Sequence, residues 1–394
     1  MKNITKKITK LSAVLTASIL SASLPLTAMA AQNSPDDNTY QSKDVQTVDY
    51  KKSLTPEFAY SAEKWASLRD NIMEYGELAD LVHEYNPTVI SNRSTYKDQK
   101  NKNLNDIYDD YMKDIDDIWD QADSADNDIT WASLRYSAGL LTKQADNNYE
   151  DADMEKIQYD QQEAKLVYQA QEMMVSLKQS AYNLENLQST RELLQKQYEA
   201  AQAQLSVGMA TQTDVLTALK RVQDQDSAIL TAQKSQENVH RNLCLMLGWS
   251  ADAQPEIKEV PQPDLSRIDT LDPNADAQTA IDNNYDVKYY TKKAGNLDSQ
   301  DLIESNQATL ANAKDTAVRS LKTQYNTVLT TRDALNAAKA QLQVAEANLN
   351  IAQANLAVGS QTSLQYQSTI KYLYSSQKRC KHKTTSASPC LRSL

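Results

Sequence analysis

Six glycines, one phenylalanine and three cysteines are all that this chain of 394 residues spends on those types. So few glycines leave no room for a Gly-rich phosphate loop. Cys244, Cys380 and Cys390 make an odd count, so no disulfide framework can be read from them. Positive charge is also short, with 41 Lys and Arg against 52 Asp and Glu and a formal net charge of −11. That balance argues against nucleic-acid binding, which depends on a basic surface. Past the N-terminus, no apolar run approaches the roughly 20 residues of a transmembrane helix. Proline is missing from 88–254 and from 274–388, whereas Pro255, Pro261, Pro263 and Pro273 crowd between those blocks. Because proline costs about 3 kcal/mol inside a helix, the pattern predicts two long helical halves joined by an extended connector.

What is present agrees with long helices burying narrow stripes. Mean hydropathy is −0.65, and Ala, Gln, Asn and Asp are abundant. Residues 1–30 have a secretory signal's parts: Lys2, Lys6, Lys7 and Lys10, an apolar run from Leu11 to Leu26, then Ala28-Met29-Ala30. Export is therefore expected, with the mature chain starting near Ala31 and a net charge of about −15 once four lysines are removed. Residues 31–55 read as a flexible leader. A helical pattern through Trp65, Leu68, Ile72, Leu78, Leu81 and Val82 breaks at a corner, Asn86-Pro87. An amphipathic acidic helix follows, carrying Ile107, Tyr111, Ile115, Ile118 and Trp119. Its pairs Asp109-Asp110 and Asp116-Asp117 are a solvated face, since a calcium loop would need a central Gly. After a break at 123–128, the one strand-like stretch is Ile129 to Leu141, with Trp131, Tyr136 and Gly139.

The chain is organised around two near-repeats. Ala201-Gln202-Ala203-Gln204-Leu205-Ser206-Val207-Gly208-Met209-Ala210-Thr211 shares seven of eleven positions with Ala352-Gln353-Ala354-Asn355-Leu356-Ala357-Val358-Gly359-Ser360-Gln361-Thr362. Each Gly ends a run with helical periodicity, and each Thr is followed three residues on by a polar partner, Asp214 or Gln365. Gly closes one helix through a positive φ, and Thr-x-x-Asp or Thr-x-x-Gln opens the next. The chain thus reverses twice, at points 151 residues apart. The first hairpin has an arm over about 150–205 and a return over 211–247 that stops at Gly248. The second has Leu321, Tyr325, Val328, Leu335, Ala338, Leu342, Ala345, Leu349, Ala352 and Leu356 leading to Gly359. Its return arm loses the apolar seam after Gln377, which predicts a truncated arm over 362–377 and a basic tail over 378–394. The expected organisation is a first helical repeat at 56–248, a Pro-rich linker at 249–275 and a second repeat at 276–377.

These residues resemble the TolC family of outer-membrane efflux proteins, built from two tandem repeats whose hairpin turns carry Val-Gly and a Ser/Thr-containing helix start. The match runs over Leu205 to Ala218, Leu243 to Gly248 and Ala354 to Thr362, with Asn86-Pro87 and Asn283-Asn284-Tyr285-Asp286 standing where each repeat opens on an Asn-Asn-Pro corner. The resemblance covers roughly 56–377. It implies an all-α protomer of long antiparallel coiled hairpins that forms a homotrimer closed into a tunnel. The turns would face a membrane-fusion (adaptor) protein and an inner-membrane transporter. It also implies a location in the outer membrane if the cell has one, otherwise at the cell surface or in the wall space. An acid six residues after the first turn Gly helps form the constriction in that family, and Asp214 holds that place. Two departures stand out. The family's Tyr and Arg beside the second turn are not reproduced, since Leu356 sits three before Gly359 and Gln361 two after it. Barrel strands of about ten alternating residues are also missing, which implies a shortened or lost β-barrel.

The candidate site is therefore the pair of turns: Gly208, Thr211 and Asp214 in the first, Gly359, Thr362 and Gln365 in the second. Asp214 can be a helix-capping acid alone or a capping acid at a channel mouth as well. His83, His240 and His382 share no ligand spacing, so neither metal nor catalytic work is expected, and no cofactor. Two readings stay open: a passive exit duct with no chemistry of its own, and an exported coiled-coil scaffold or adaptor without conduction.

Overall fold

The computed structural model of the protein describes residues 60–392. The expected signal peptide and leader lie outside the described residues. Apart from two strands of two residues each, the regular structure is helical, and the chain is an all-α protein of two long antiparallel hairpins.

The N-terminal segment is more broken than its apolar spacing suggests. Helix α1 (Ala62–Leu68) is followed by strand β1 (Ile72–Met73), a 3₁₀ turn at Tyr75–Glu77, and α2 (Leu78–Tyr85). Ile72 therefore belongs to a strand, because Asp70 caps the amide of Ile72 at 2.9 Å and draws the backbone out of the helical path. Strand β1 pairs in parallel with β2 (Glu256–Ile257), so the Pro-rich connector is fastened to the start of the chain.

At Asn86 the backbone turns extended, with φ −69° and ψ 123°, and Pro87 occupies the first turn of α3 (Pro87–Gln99). Asn86 is held from both sides. Its Oδ1 accepts from the amides of Thr88 and Val89, and its Nδ2 donates to the carbonyl of Met246 at 2.8 Å. Asn284 repeats the turn with φ −68° and ψ 128°, its side chain accepting from the Val287 amide in the helix that opens at Tyr285. The two halves thus open on the same local geometry, although only the first has the proline.

Asn101, the one non-Gly residue with positive φ among those described, turns the chain from α3 into α4 (Leu104–Asp123). The break at 124–127 leads into α5 (Asp128–Asp146). The stretch from Ile129 to Leu141 is therefore helical, which corrects the strand expected there. Leu134, Ala138, Leu141 and Ala145 recur at steps of four and three, and Ala138 and Ala145 are buried in a small core with Ile115. That 3.6-residue period outweighs the local β-formers Ile129, Trp131 and Tyr136.

Helix α6 (Ala152–Ser206) has 55 residues and returns as α7 (Gln212–Met246). After the connector and a 3₁₀ turn at Leu265–Thr270 come α8 (Ala277–Asn283), α9 (Tyr285–Ala294), α10 (Gln300–Ala357, 58 residues) and α11 (Ser363–Arg392). At about 1.5 Å per residue, α6 and α10 are each about 80–90 Å long. Helix α10 buries Val328, Leu335, Ala338, Ala345 and Ala352, a heptad rhythm in which alanines bring the axes close. Besides pairing within the hairpins, α11 packs against α6, so the order across the molecule is α7, α6, α11, α10. The main core sits far from the turns, where Trp65, Leu68, Leu78, Leu81 and Val82 meet Met174, Leu177, Leu243 and Leu247.

The truncation expected after Gln377 is not seen, as α11 runs on to Arg392. A helix needs no apolar seam to continue if nothing breaks it, and neither Gly nor Pro occurs between Ser363 and Ser388. Polar pairs take over the contact with α6. Tyr374 donates to Glu185 at 2.9 Å, Ser375 to Asn186 at 2.7 Å and Gln179 to Ser386 at 3.1 Å, while Lys378 pairs with Glu185. The basic residues that looked like a tail are part of a helical seam.

Candidate functional site: the paired hairpin turns

Both turns are built from the same five hydrogen bonds around a left-handed glycine. Gly208 (φ 73°) and Gly359 (φ 72°) take the left-handed conformation that a Cβ disfavours. At the first turn the Met209 amide donates to the Gln204 carbonyl at 2.8 Å and the Gly208 amide to Leu205 at 3.0 Å. At the second, Ser360 donates to Asn355 at 2.9 Å and Gly359 to Leu356 at 3.1 Å. Two crossing bonds of this kind satisfy the last carbonyls of a helix.

The next helix then opens on a reciprocal cap. The Thr211 amide and hydroxyl donate to Asp214 Oδ2 at 2.8 and 2.7 Å, and the Asp214 amide donates back to Thr211 Oγ1 at 3.2 Å. Thr362 and Gln365 repeat this with distances of 2.9, 3.1 and 3.2 Å. Gln365 thus does the capping work of Asp214 without its charge. Donation from the Thr211 backbone and then its hydroxyl holds the Asp214 carboxyl below the usual range. The first turn is charged through the physiological range and the second offers an amide at the equivalent place.

All six expected residues therefore fall into two compact turns, three in each. The turns lie at one end of the molecule, because Lys196 Nζ donates to Gln367 Oε1 at 3.0 Å, linking α6 to α11 a few turns behind the tips. Sequence reasoning passed over the side chains that flank the glycines. Val207, Met209 and Val358 are 68, 81 and 77 % exposed at the outermost points. Their signal was an apolar residue adjoining a turn Gly, where a hairpin has no partner to cover it. Gln361, noted only as a missing Arg, lines an open groove between α10 and α11 with Asn348, Ile351, Asn355 and Tyr372.

His83 is not isolated in space. It is buried where α2, α3 and α6 meet, with Nδ1 2.7 Å from Glu163 and Nε2 3.0 Å from Arg93. A guanidinium only donates, so Nε2 accepts and Nδ1–H donates to Glu163. Arg93 also lies 3.5 Å from Glu84, whose carboxyl is pushed up by burial. This network fastens the Asn86 corner to α6. Among the described residues, no three His, Cys, Asp or Glu side chains are placed to share a metal ion. Also among those residues, no helix is long and apolar enough to cross a membrane.

No protein-family model matches the chain, and no curated protein sequence matches it significantly. Solved structures of outer-membrane proteins are similar to it at low identity. The outer membrane protein VceC from Vibrio cholerae is 13% identical, with a TM-score of 0.43 over 80% of this chain and 94% of that one. The CmeC outer membrane channel of Campylobacter jejuni is 11% identical, with a TM-score of 0.39 over 80% of this chain and 84% of that one. The open state of the MtrE outer membrane channel of Neisseria gonorrhoeae is also 11% identical, with a TM-score of 0.37 over 80% of this chain and 87% of that one.

Proposed function

We propose that the chain is one protomer of an exported, TolC-like homotrimeric duct, a passive exit path with no chemistry of its own. One observation carries this reading. Two hairpins lie side by side through α6 and α11 with their turns at the same end, which leaves α7 and α10 as open edges with uncovered apolar residues. Leu216 on α7 and Ile351, on α10 at the rim of its groove with α11, are 55 and 60 % exposed, and each lies eight residues from its turn glycine, so they sit at matching height. Two different edges that complement one another generate a ring when the rotation closes. The apolar tips at Val207, Met209 and Val358 are the face offered to an adaptor protein and through it to an inner-membrane transporter. Asp214 places one carboxylate per protomer beside that opening.

The strands among the described residues are β1 and β2 alone, and the segment after the first corner is the α4–α5 helical hairpin. The duct proposed here therefore ends in helices, and its place is the outer membrane where one exists or otherwise the cell surface. The deciding experiment is the mass of the mature protein at micromolar concentration in mild detergent and in buffer. A trimer supports the duct; a monomer sinks it and leaves the scaffold or adaptor reading.

A further inference from the structure

Helix α5 is apolar on two opposite faces, and only one of them is covered. Its inner face, Ala138, Leu141 and Ala145, packs on α4. Its outer face carries Ile129, Ala132, Tyr136, Gly139 and Leu140, where the first four are spaced by three, four and three residues. On this face Ile129 is 84 %, Tyr136 70 % and Leu140 46 % exposed. A helix apolar on both sides is built to lie between two partners. The spacing is that of a coiled-coil seam, with large residues alternating with Ala132 and Gly139, which allow close approach.

Charge decides what the second partner is. Helix α4 carries eight aspartates and one lysine, whereas α5 balances Asp128 and Asp146 with Arg135 and Lys143. Arg135 is drawn inward, stacked on the Trp119 ring at 4.7 Å and the Trp131 ring at 5.0 Å, and paired with Asp123. A basic partner would settle on α4 and not on the neutral stripe. An anionic lipid surface would be repelled by the same aspartates, since surface-lying helices take Lys and Arg on their polar face. A neutral apolar seam that turns its acid outward suits a copy of itself. We propose that the outer stripe of α5 docks on α5 of a second copy of this chain, gathering the α4–α5 hairpins at the end of the molecule opposite the turns. For the number of copies gathered, this rests on the trimer proposed above.

The test places the photo-crosslinking residue benzoylphenylalanine at Tyr136, and in a separate protein at Asp120 on the acid face of α4, each in the full mature chain. The expected result is covalent oligomers from the Tyr136 position and none from Asp120. In parallel, the Ile129→Glu, Tyr136→Glu double substitution should raise the dissociation constant roughly 100-fold while far-UV helicity is kept, because both side chains are exposed in the protomer. A wild-type trimer that gives no crosslink at Tyr136 overturns the α5 contact and leaves the duct standing. A wild-type monomer at micromolar concentration, with no crosslink at either position, overturns both. Flotation of the wild type with phosphatidylcholine–phosphatidylglycerol vesicles, lost in the double variant, overturns the contact in favour of a membrane surface.

Discussion

Gly248 and Gly208 share a conformation but not a neighbourhood, and their substitutions should differ accordingly. Both have positive φ, 84° and 73°. A Cβ on Gly208 meets nothing within 4 Å, whereas one on Gly248 falls 2.5 Å from Tyr85 Cβ and 3.1 Å from its carbonyl oxygen. Gly208→Ala should cost about 1 kcal/mol, the strain of the left-handed region alone. Gly248→Ala should cost about 3 kcal/mol, since α7 must move off the corner at Asn86. Denaturant melts of the two variants check the ordering, and equal losses would contradict it. Glu155 yields a second prediction at this scale. Burial, then the nearby Glu150 and Asp151, push its carboxyl up to about 7. The folded state therefore holds this proton more tightly than the unfolded chain does. Glu155 contributes full stability below its ordinary value of 4.5, and that contribution is lost as pH rises from there through about 7. Glu155→Gln should flatten the stability profile between those limits and gain about 1 kcal/mol at pH 8, a figure reduced for the group's partial contact with water. An unchanged slope would place the titration elsewhere.

Among the elements, the seams were legible in proportion to how apolar they are. The turn glycines, the capping pairs and the heptads of α6, α7 and α10 could be read directly, because positive φ, Thr-x-x-Asp and a seven-residue period leave local marks. The α6–α11 seam left none beyond Gln377, since it is made there of Lys378, Lys381 and Ser386 against Gln179, Tyr182 and Glu185. Polar contacts between helices remote in sequence have no period of their own. Helix α5 misled for a related reason: β-branched and aromatic residues on its uncovered face suggested alternation, while the alanines of the covered face set the structure. The tips' exposed valines and methionine were present in the sequence but gain meaning only once nothing is found packed on them. The polar seam can be weighed by a double-mutant cycle on Glu185 and Lys378. Direct donation from Lys378 holds the Glu185 carboxyl low, and the lysine also lies 5.0 Å from the Tyr374 ring and 5.7 Å from that of Tyr182. Because Glu185 is partly exposed, Glu185→Gln and Lys378→Met should couple by about 0.5–1 kcal/mol. A coupling of zero would mean that this pair adds nothing and that the contact rests on Ser375 with Asn186 and Gln179 with Ser386.

For the whole molecule, the question is how the edges close. If α7 of one protomer meets α10 of the next, the contact is head-to-tail, and each protomer contributes two different surfaces. Leu216→Asp spoils the α7 edge and leaves α10 intact; Ile351→Asp does the reverse. With the α5 stripe already charged by Ile129→Glu and Tyr136→Glu, either alone should reduce the assembly to protomers, because a charge buried without a partner is expensive, while the fold is spared at side chains more than half exposed. Mixing the two variants separates the possible symmetries. In a head-to-tail ring, the intact α10 of the Leu216→Asp protein can still receive the intact α7 of the Ile351→Asp protein. That gives one sound junction per pair, a mixed dimer that cannot add a third copy through its two spoiled edges. If each edge instead pairs with itself, each variant forms its own homodimers and mixing creates nothing new. Analytical ultracentrifugation of the variants, separately and mixed, with one carrying a mass or fluorescent label, distinguishes these outcomes. A mixed dimer present only on mixing is the result expected of a duct, and homodimers that ignore mixing would remove the ring and with it the tunnel.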